Sequence, residues 1–331
     1  MKITRDYYQL LIKNQNDSKY RFISFSDLHY SLLQQLFYQG KMNRFFETII
    51  KKEKNIDGIL IPGDLLSYLS KYPNKKIVEA LKWDLENLSY QLRTQIFISY
   101  GNHDFPLMKE KELEEEKWNL KYFLEDRKNG IYVLDNEQIV KDSLTITGYS
   151  PKREAYNTTY MPTKALQMSF QEFQTHNFPF DKNHVNILLS HENKFFSYPE
   201  AIKEYKDLYQ YLTLIVGGHL HDGYIPIGMQ KMFEKQLKDY GIWEKYPPKI
   251  DMCRGLFKVS KNGLSQVILP SENSQIILEK EETASIINRG VAKYSWVIYG
   301  RPSYTMIEII EEKEKKNQIT DEKKRKKMKD I

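Results

Sequence analysis

The stretch LIVGGHLHDG, residues 214–223, decides how the rest of the chain is read. An apolar, strand-like run leads into two glycines, and then into two histidines separated by a single leucine. On its own, His-x-His at the end of a strand is as consistent with a half-buried pair as with a metal site. The remaining histidines settle the choice, because the chain has only seven.

Working outward, five strand-like runs end in the same kind of residue. RFISFS (21–26) runs into Asp27-Leu28-His29, and GILI (58–61) into Pro62-Gly63-Asp64. IFISY (96–100) runs into Gly101-Asn102-His103-Asp104, VNILLS (185–190) into His191-Glu192, and LTLIVG (212–217) into Gly218-His219-Leu220-His221. Five of the seven histidines therefore follow strands, at the edge where open α/β sheets bind their ligands. Glycine is scarce, at fifteen residues, yet Gly63, Gly101, Gly217, Gly218 and Gly223 flank these blocks. In an extended segment residues i and i+2 point the same way. Asp27 with His29, and His219 with His221, are expected to reach one site in pairs. Asn102 and His103 are adjacent and are expected to diverge.

Between the strands lie amphipathic stretches that predict helices over Leu32–Lys52, 75–93 and 109–127, the alternation of an α/β sandwich. A further strand is expected at LTITG (144–148). After the His-x-His the pattern loosens: residues 224–284 read as an insertion or cap with a short helix and short strands. SWVIYGRPSYTMIEII (295–310) reads as a closing hairpin. This organisation implies one domain over 1–310 and a charged, Lys-rich tail over 311–331.

Composition excludes several classes. No apolar run approaches the roughly 18 residues of a transmembrane helix, and the first twenty residues lack the apolar core of a secretory signal. The expected compartment is the cytoplasm, with the inner face of the membrane as a peripheral alternative. The single cysteine, Cys253, excludes an intramolecular disulfide and any multi-thiolate zinc site, and is read as structural. Net charge is +6, but the tail holds nine Lys/Arg against six Asp/Glu, half of the excess. The body's share, +3 over 310 residues, is by itself no nucleic-acid footprint. The tail is a candidate for weak contact with an anionic membrane surface or nucleic acid.

The blocks Asp-x-His, Gly-Asp, Gly-Asn-His-Asp, a lone His after a strand, and Gly-His-x-His, in that order, resemble the calcineurin-like metallophosphoesterase family in its bacterial single-domain form. The resemblance implies a four-layer αββα sandwich of two mixed sheets flanked by helices, with a two-metal site. It implies that Asp27, His29, Asp64 and His221 hold one divalent ion, and that Asp64, Asn102, His191 and His219 hold the other, Asp64 bridging. His103 is implied to face the scissile phosphate, and Asp104 is a candidate for orienting it. Such a nitrogen and oxygen donor set suits Mn, Fe, Zn, Co or Ni without choosing among them. The implied reaction is hydrolysis of a phosphomonoester or phosphodiester by a hydroxide bridging the ions. A nuclease and a non-catalytic metal-binding scaffold are the alternatives. The block GDLLS departs from the family by placing Ser67 where a second acidic residue often stands, and Asp222-Gly223 replaces a frequent Gly-Gly. Glu192 and Asp222 are candidates to support the ligands, and Arg254 and Arg289 to anchor phosphate.

Overall fold

The computed structural model describes residues 2–14, 18–30, 32–67, 75–104, 120–151, 171–192, 203, 206–219, 255–268, 274–291 and 302–313. The strands are β1 (Thr4–Asn14), β2 (Lys19–Ser24), β3 (Gly58–Pro62), β4 (Gln95–Ser99), β5 (Ile131–Val133), β6 (Glu137–Lys141) and β7 (Leu144–Tyr149). They continue with β8 (Val185–Ser190), β9 (Leu214–Gly217), β10 (Gly255–Ser260), β11 (Gly263–Ile268), β12 (Ser274–Leu278), β13 (Glu282–Ile287) and β14 (Ser303–Lys313). The helices are α1 (Leu32–Lys52), α2 (Lys75–Leu92) and the short α3 (Leu120–Leu124).

Two seven-stranded mixed sheets lie face to face. The first runs β12-β1-β14-β2-β3-β4-β5 and the second β11-β10-β13-β9-β8-β7-β6. Strands β3 and β8 are buried throughout and mainly apolar, as expected of strands covered on both faces. Alternation along each strand divides its side chains between two cores. Ile59 and Ile61 of β3, with Ile96 and Ile98 of β4, point at Phe45, Leu81 and Leu85 of the helices. Leu60 and Phe97 point the other way, onto Ile187, Leu189 and Val216 of the second sheet. Helix α2 presents Ile77, Val78, Leu81, Leu85 and Leu88 to the first core, at the helical spacing that makes one buried stripe.

The sequence expectations for β2, β3, β4, β7, β8, β9, α1 and α2 match the observed elements to within two residues at each end. Residues 105–119, which hold most of the third expected helix, fall outside the described part. Two expectations need correction. Residues 255–284, assigned to a cap, instead supply β10, β11 and the start of β13 to the second sheet and β12 to the first. β11 and β12 are the edge strands of their sheets. The closing hairpin is also replaced: β14 lies between β1, which it pairs in parallel, and β2, which it pairs antiparallel. Both hydrogen-bonding sides of β14 are thus taken by β1 and β2 over Thr305–Ile310, and residues 295–301 of the expected hairpin lie outside the described residues. Ladder pairing continues to Lys313, three residues past the expected domain boundary. Among the described residues no helix is long and apolar enough to cross a membrane.

Candidate metal centre

Strands β2, β3 and β4 of one sheet, and β8 and β9 of the other, deliver their following loops to a common end of the sandwich. Backbone hydrogen bonds lock these loops together. Asp27 N–H donates to Gly63 C=O (3.1 Å), His29 N–H to Asp64 C=O (3.0 Å), and Gly218 N–H to His191 C=O (2.9 Å). Asp27, His29, Asp64 and His219 all have left-handed backbones, with φ of 58°, 46°, 56° and 70°. This region is uncommon for residues other than glycine, and such strain gathers at functional sites. It also revises the reason for the Asp27–His29 convergence. Those side chains meet through two left-handed kinks rather than through the pleat of an extended segment.

Close packing makes two glycines obligatory. A Cβ on Gly101 would overlap the Asp64 carboxylate, and one on Gly218 would stand 2.6 Å from the Asp27 carboxylate.

Asp64 is the centre of the arrangement. Its Oδ2 lies 3.1 Å from His191 Nε2, 3.7 Å from His29 Nε2 and 3.9 Å from His103 Nε2. Its Oδ1 accepts the backbone N–H of His103 at 2.8 Å. Burial by itself would raise the Asp64 carboxyl, but the charge and hydrogen bond of His191, then His103 and His29, hold it well below the usual carboxylate range. Burial would lower His191, and the Asp64 charge beside it instead pushes it up to about 10. The Nδ1 of His191 lies 2.8 Å from Pro62 C=O, which can only accept, so Nδ1 carries a proton and Nε2 faces Asp64.

Two donor sets share this carboxylate. His29, Asp64 and His103 form one, and Asp64, His191 and His219 the other, with the ligand atoms of each set within 4.8 Å of one another. The rings pair accordingly, edge to face: His29 with His103 at 4.7 Å and His191 with His219 at 5.0 Å between centroids. Buried carboxylate oxygens and imidazole nitrogens, converging with an Nδ1 already held by a carbonyl, fit divalent transition ions.

The other expected residues are placed as follows. Asp27 is fully buried, accepts the backbone N–H of His219 at 3.2 Å and lies 4.0 Å from His29 Nε2. Asn102 and His103 diverge: Asn102 Oδ1 meets His219 Nδ1 at 3.0 Å, while His103 turns to His29. Glu192 lies 3.4 Å from His219 Nε2. Asp104 has a different task from orienting His103. Its oxygens accept the backbone N–H groups of Asp64, Leu65, Leu66 and Gly101 at 2.8–3.1 Å, so it holds the Gly63–Asp64 turn. Burial and the Asp64 charge push Asp104 up to about 7, against the pull of those N–H donors. Arg289 pairs with Asp6 at 3.0 Å. His221, Asp222, Cys253 and Arg254 lie outside the described residues.

Two supporting groups had no clear mark in the sequence. The Ser26 hydroxyl donates to Asp27, and only its position next to that aspartate could have flagged it. The Pro62 carbonyl that orients His191 is a backbone atom brought from another sheet, invisible to any motif.

Comparison with known proteins identifies a family. Residues 20–223, more than half of the chain, match the family model for the calcineurin-like phosphoesterases. A solved structure of a dimetal phosphatase from Danio rerio is 12% identical, with a TM-score of 0.36, and the match covers 61% of this chain and 82% of that one. Comparison with curated proteins finds no match. This chain belongs to the calcineurin-like phosphoesterase family, the metal-dependent hydrolases of phosphate esters.

Proposed function

We propose that this protein hydrolyses a phosphomonoester or phosphodiester at the end of the sandwich where Asp64 sits. The observation that carries the reading is the position of the Asp64 carboxylate, shared by two histidine-bearing donor sets. Asp27, His29, Asp64 and His221 would hold one divalent ion, and Asp64, Asn102, His191 and His219 the other. When bound, such a pair supplies a nucleophile at neutral pH and neutralises phosphoryl charge.

His103 is assigned the proton. Its side chain is 14% exposed, against 4% for His29 and none for His191, so it alone of these three reaches the solvent edge where an ester would arrive. Its backbone N–H, bound to Asp64, fixes where the ring starts. From there the imidazole gives its proton to the leaving-group oxygen. Asp104 acts on the reaction only by holding the turn that aims Asp64.

One observation favours a second reading. His103 Nε2 belongs to the same donor set as His29 and Asp64, which makes it a potential ligand. The variant His103→Ala separates the two. In the proton-donor reading it keeps both metals and lowers kcat by about 10²–10⁴, with larger losses for a poor alkoxide leaving group than for nitrophenolate. Loss of bound metal in that variant would assign His103 to the ion instead. A screen of mono- and diesters, run with added metals and with chelator, establishes the ester class. Absence of metal-dependent turnover throughout would support the non-catalytic scaffold.

A further inference from the structure

The end of the sandwich opposite the metal centre carries a groove of about 1220 Å³ beside the C-terminal half of α2. One wall is a single helical face, with Trp83, Glu86, Asn87 and Tyr90 at i, i+3, i+4 and i+7. Trp83 is 66% exposed and Tyr90 79%, the two most exposed large hydrophobic residues of α2. Seven residues of helix set them about 10 Å apart along the axis.

Three basic side chains line the same groove: Arg93, Lys128 and Lys141, all exposed. Among the described residues none of the three has an ion-pair partner. The acidic residues of the groove are engaged, Asp57 accepting the backbone N–H of Arg21 at 2.7 Å and Glu86 facing Lys82 at 3.8 Å. The lining's charged side chains, three basic against Asp57 and Glu86, leave a positive excess beside two solvent-facing rings in a concavity.

That combination matches one ligand chemistry. Single-stranded nucleic acid offers base faces that stack on aromatic side chains and phosphates that contact cations, without requiring a particular sequence. An acidic peptide would use the cations and leave the rings without partners. A bilayer also attracts Trp, Tyr and Lys, but it needs a protruding face, and here the aromatic residues wall a hollow. The geometry points to an accessory groove for single-stranded nucleic acid, with Trp83 and Tyr90 as stacking platforms and Arg93, Lys128 and Lys141 as phosphate contacts. The groove is separate from the metal centre. Gln95, in its lining, opens β4, whereas Asn102 and His103 follow the far end of that strand, beyond about 13 Å of extended chain. Binding there stands whether or not the metal centre cleaves the bound strand.

The test uses the full chain in chelator, with a fluorescein-labelled twenty-nucleotide oligo(dT) followed by anisotropy over a range of salt. The parent should bind, more weakly as salt rises. The double variant Trp83→Ala/Tyr90→Ala should bind about tenfold more weakly or worse. Lys128→Ala/Lys141→Ala should flatten the slope of log affinity against log salt by about 0.7 per lysine. Both variants should melt like the parent and turn over a small chromogenic ester at the parental rate, since the four side chains are exposed and distant from Asp64. Oligonucleotide binding equal to the parent in both variants would overturn the proposal. So would variants that lose binding to phosphatidylcholine/phosphatidylglycerol vesicles while keeping oligo(dT), which would place a membrane surface in the groove.

Discussion

Replacing Asp64 by Asn keeps the shape of the side chain and removes its charge, and the structure states what that charge holds. Three imidazoles converge on its Oδ2, the nearest being His191 at 3.1 Å. In metal-stripped protein, Asp64 raises the buried His191 to about 10 despite the burial that lowers it. Without the carboxylate, only the smaller effects of the Asp27 charge and the Pro62 carbonyl still oppose burial, and His191 should fall toward its ordinary 6.5. A change of that size corresponds to on the order of 5 kcal/mol. Coulomb's law at 3.1 Å, with an effective dielectric of about 20, gives about 5 kcal/mol as well. The sign follows from linkage. A folded pKa above the unfolded one stabilises the stripped protein fully below about pH 6.5 and loses that contribution as pH rises through 10. Imidazole NMR of the stripped proteins from pH 6 to 9 reads the effect directly. His191 of the parent should stay protonated on both nitrogens, and that of Asp64→Asn should be neutral across the upper half of the range. Metal analysis supplies the second readout: one carboxylate serves both donor sets, so the variant should lose both ions together. His191 still charged at pH 8 in the variant, or two tightly bound metals retained by it, would refute the shared-carboxylate argument.

Three further outcomes are expected. Truncation after Lys313 should leave hydrolysis of a small chromogenic ester within about twofold, because every residue named in the centre precedes it, and absorbance of the released chromophore measures this. Truncation after Ile310 should instead lower the melting temperature, since it removes the last three β14 residues paired with β1, including the buried Glu311. Glu308, only 7% exposed, accepts from Tyr7 at 2.8 Å and Gln9 at 2.7 Å and pairs with Lys19 at 2.8 Å. Burial would raise its carboxyl, but Lys19, Tyr7 and Gln9 hold it below 4.5. Its stabilisation is thus present above pH 4.5 and lost as pH falls through the depressed value. Glu308→Gln should therefore show a smaller loss of stability between pH 7 and pH 4 than the parent, measured by urea denaturation.

The sequence by itself determined the buried strands and the chemistry at their ends. β3, and β8 apart from Asn186 and the terminal Ser190, are apolar and covered on both faces, and such runs are legible without partners. The residues that follow them, Asp27, His29, Asp64, Asn102, His103, His191 and His219, stood out because polar groups ending buried strands are few and fell at one kind of position. Only the tertiary structure decided how these groups meet. Asp27 and His29 converge through left-handed turns fixed by hydrogen bonds from the neighbouring loop, and His191 is aimed by the carbonyl of Pro62, 129 residues away in sequence. Asp104 stands beside His103 in the chain yet serves four backbone N–H groups, a task no local pattern encodes. Strands β1, β5, β6 and β10–β13 were poorly legible for a related reason. Several lie at sheet edges or, like β1 (TRDYYQLLIKN), carry polar side chains between apolar ones. Their pairing energy comes from neighbours distant in sequence, β14 to β1 and β13 to β9, and that information exists only once the chain has folded.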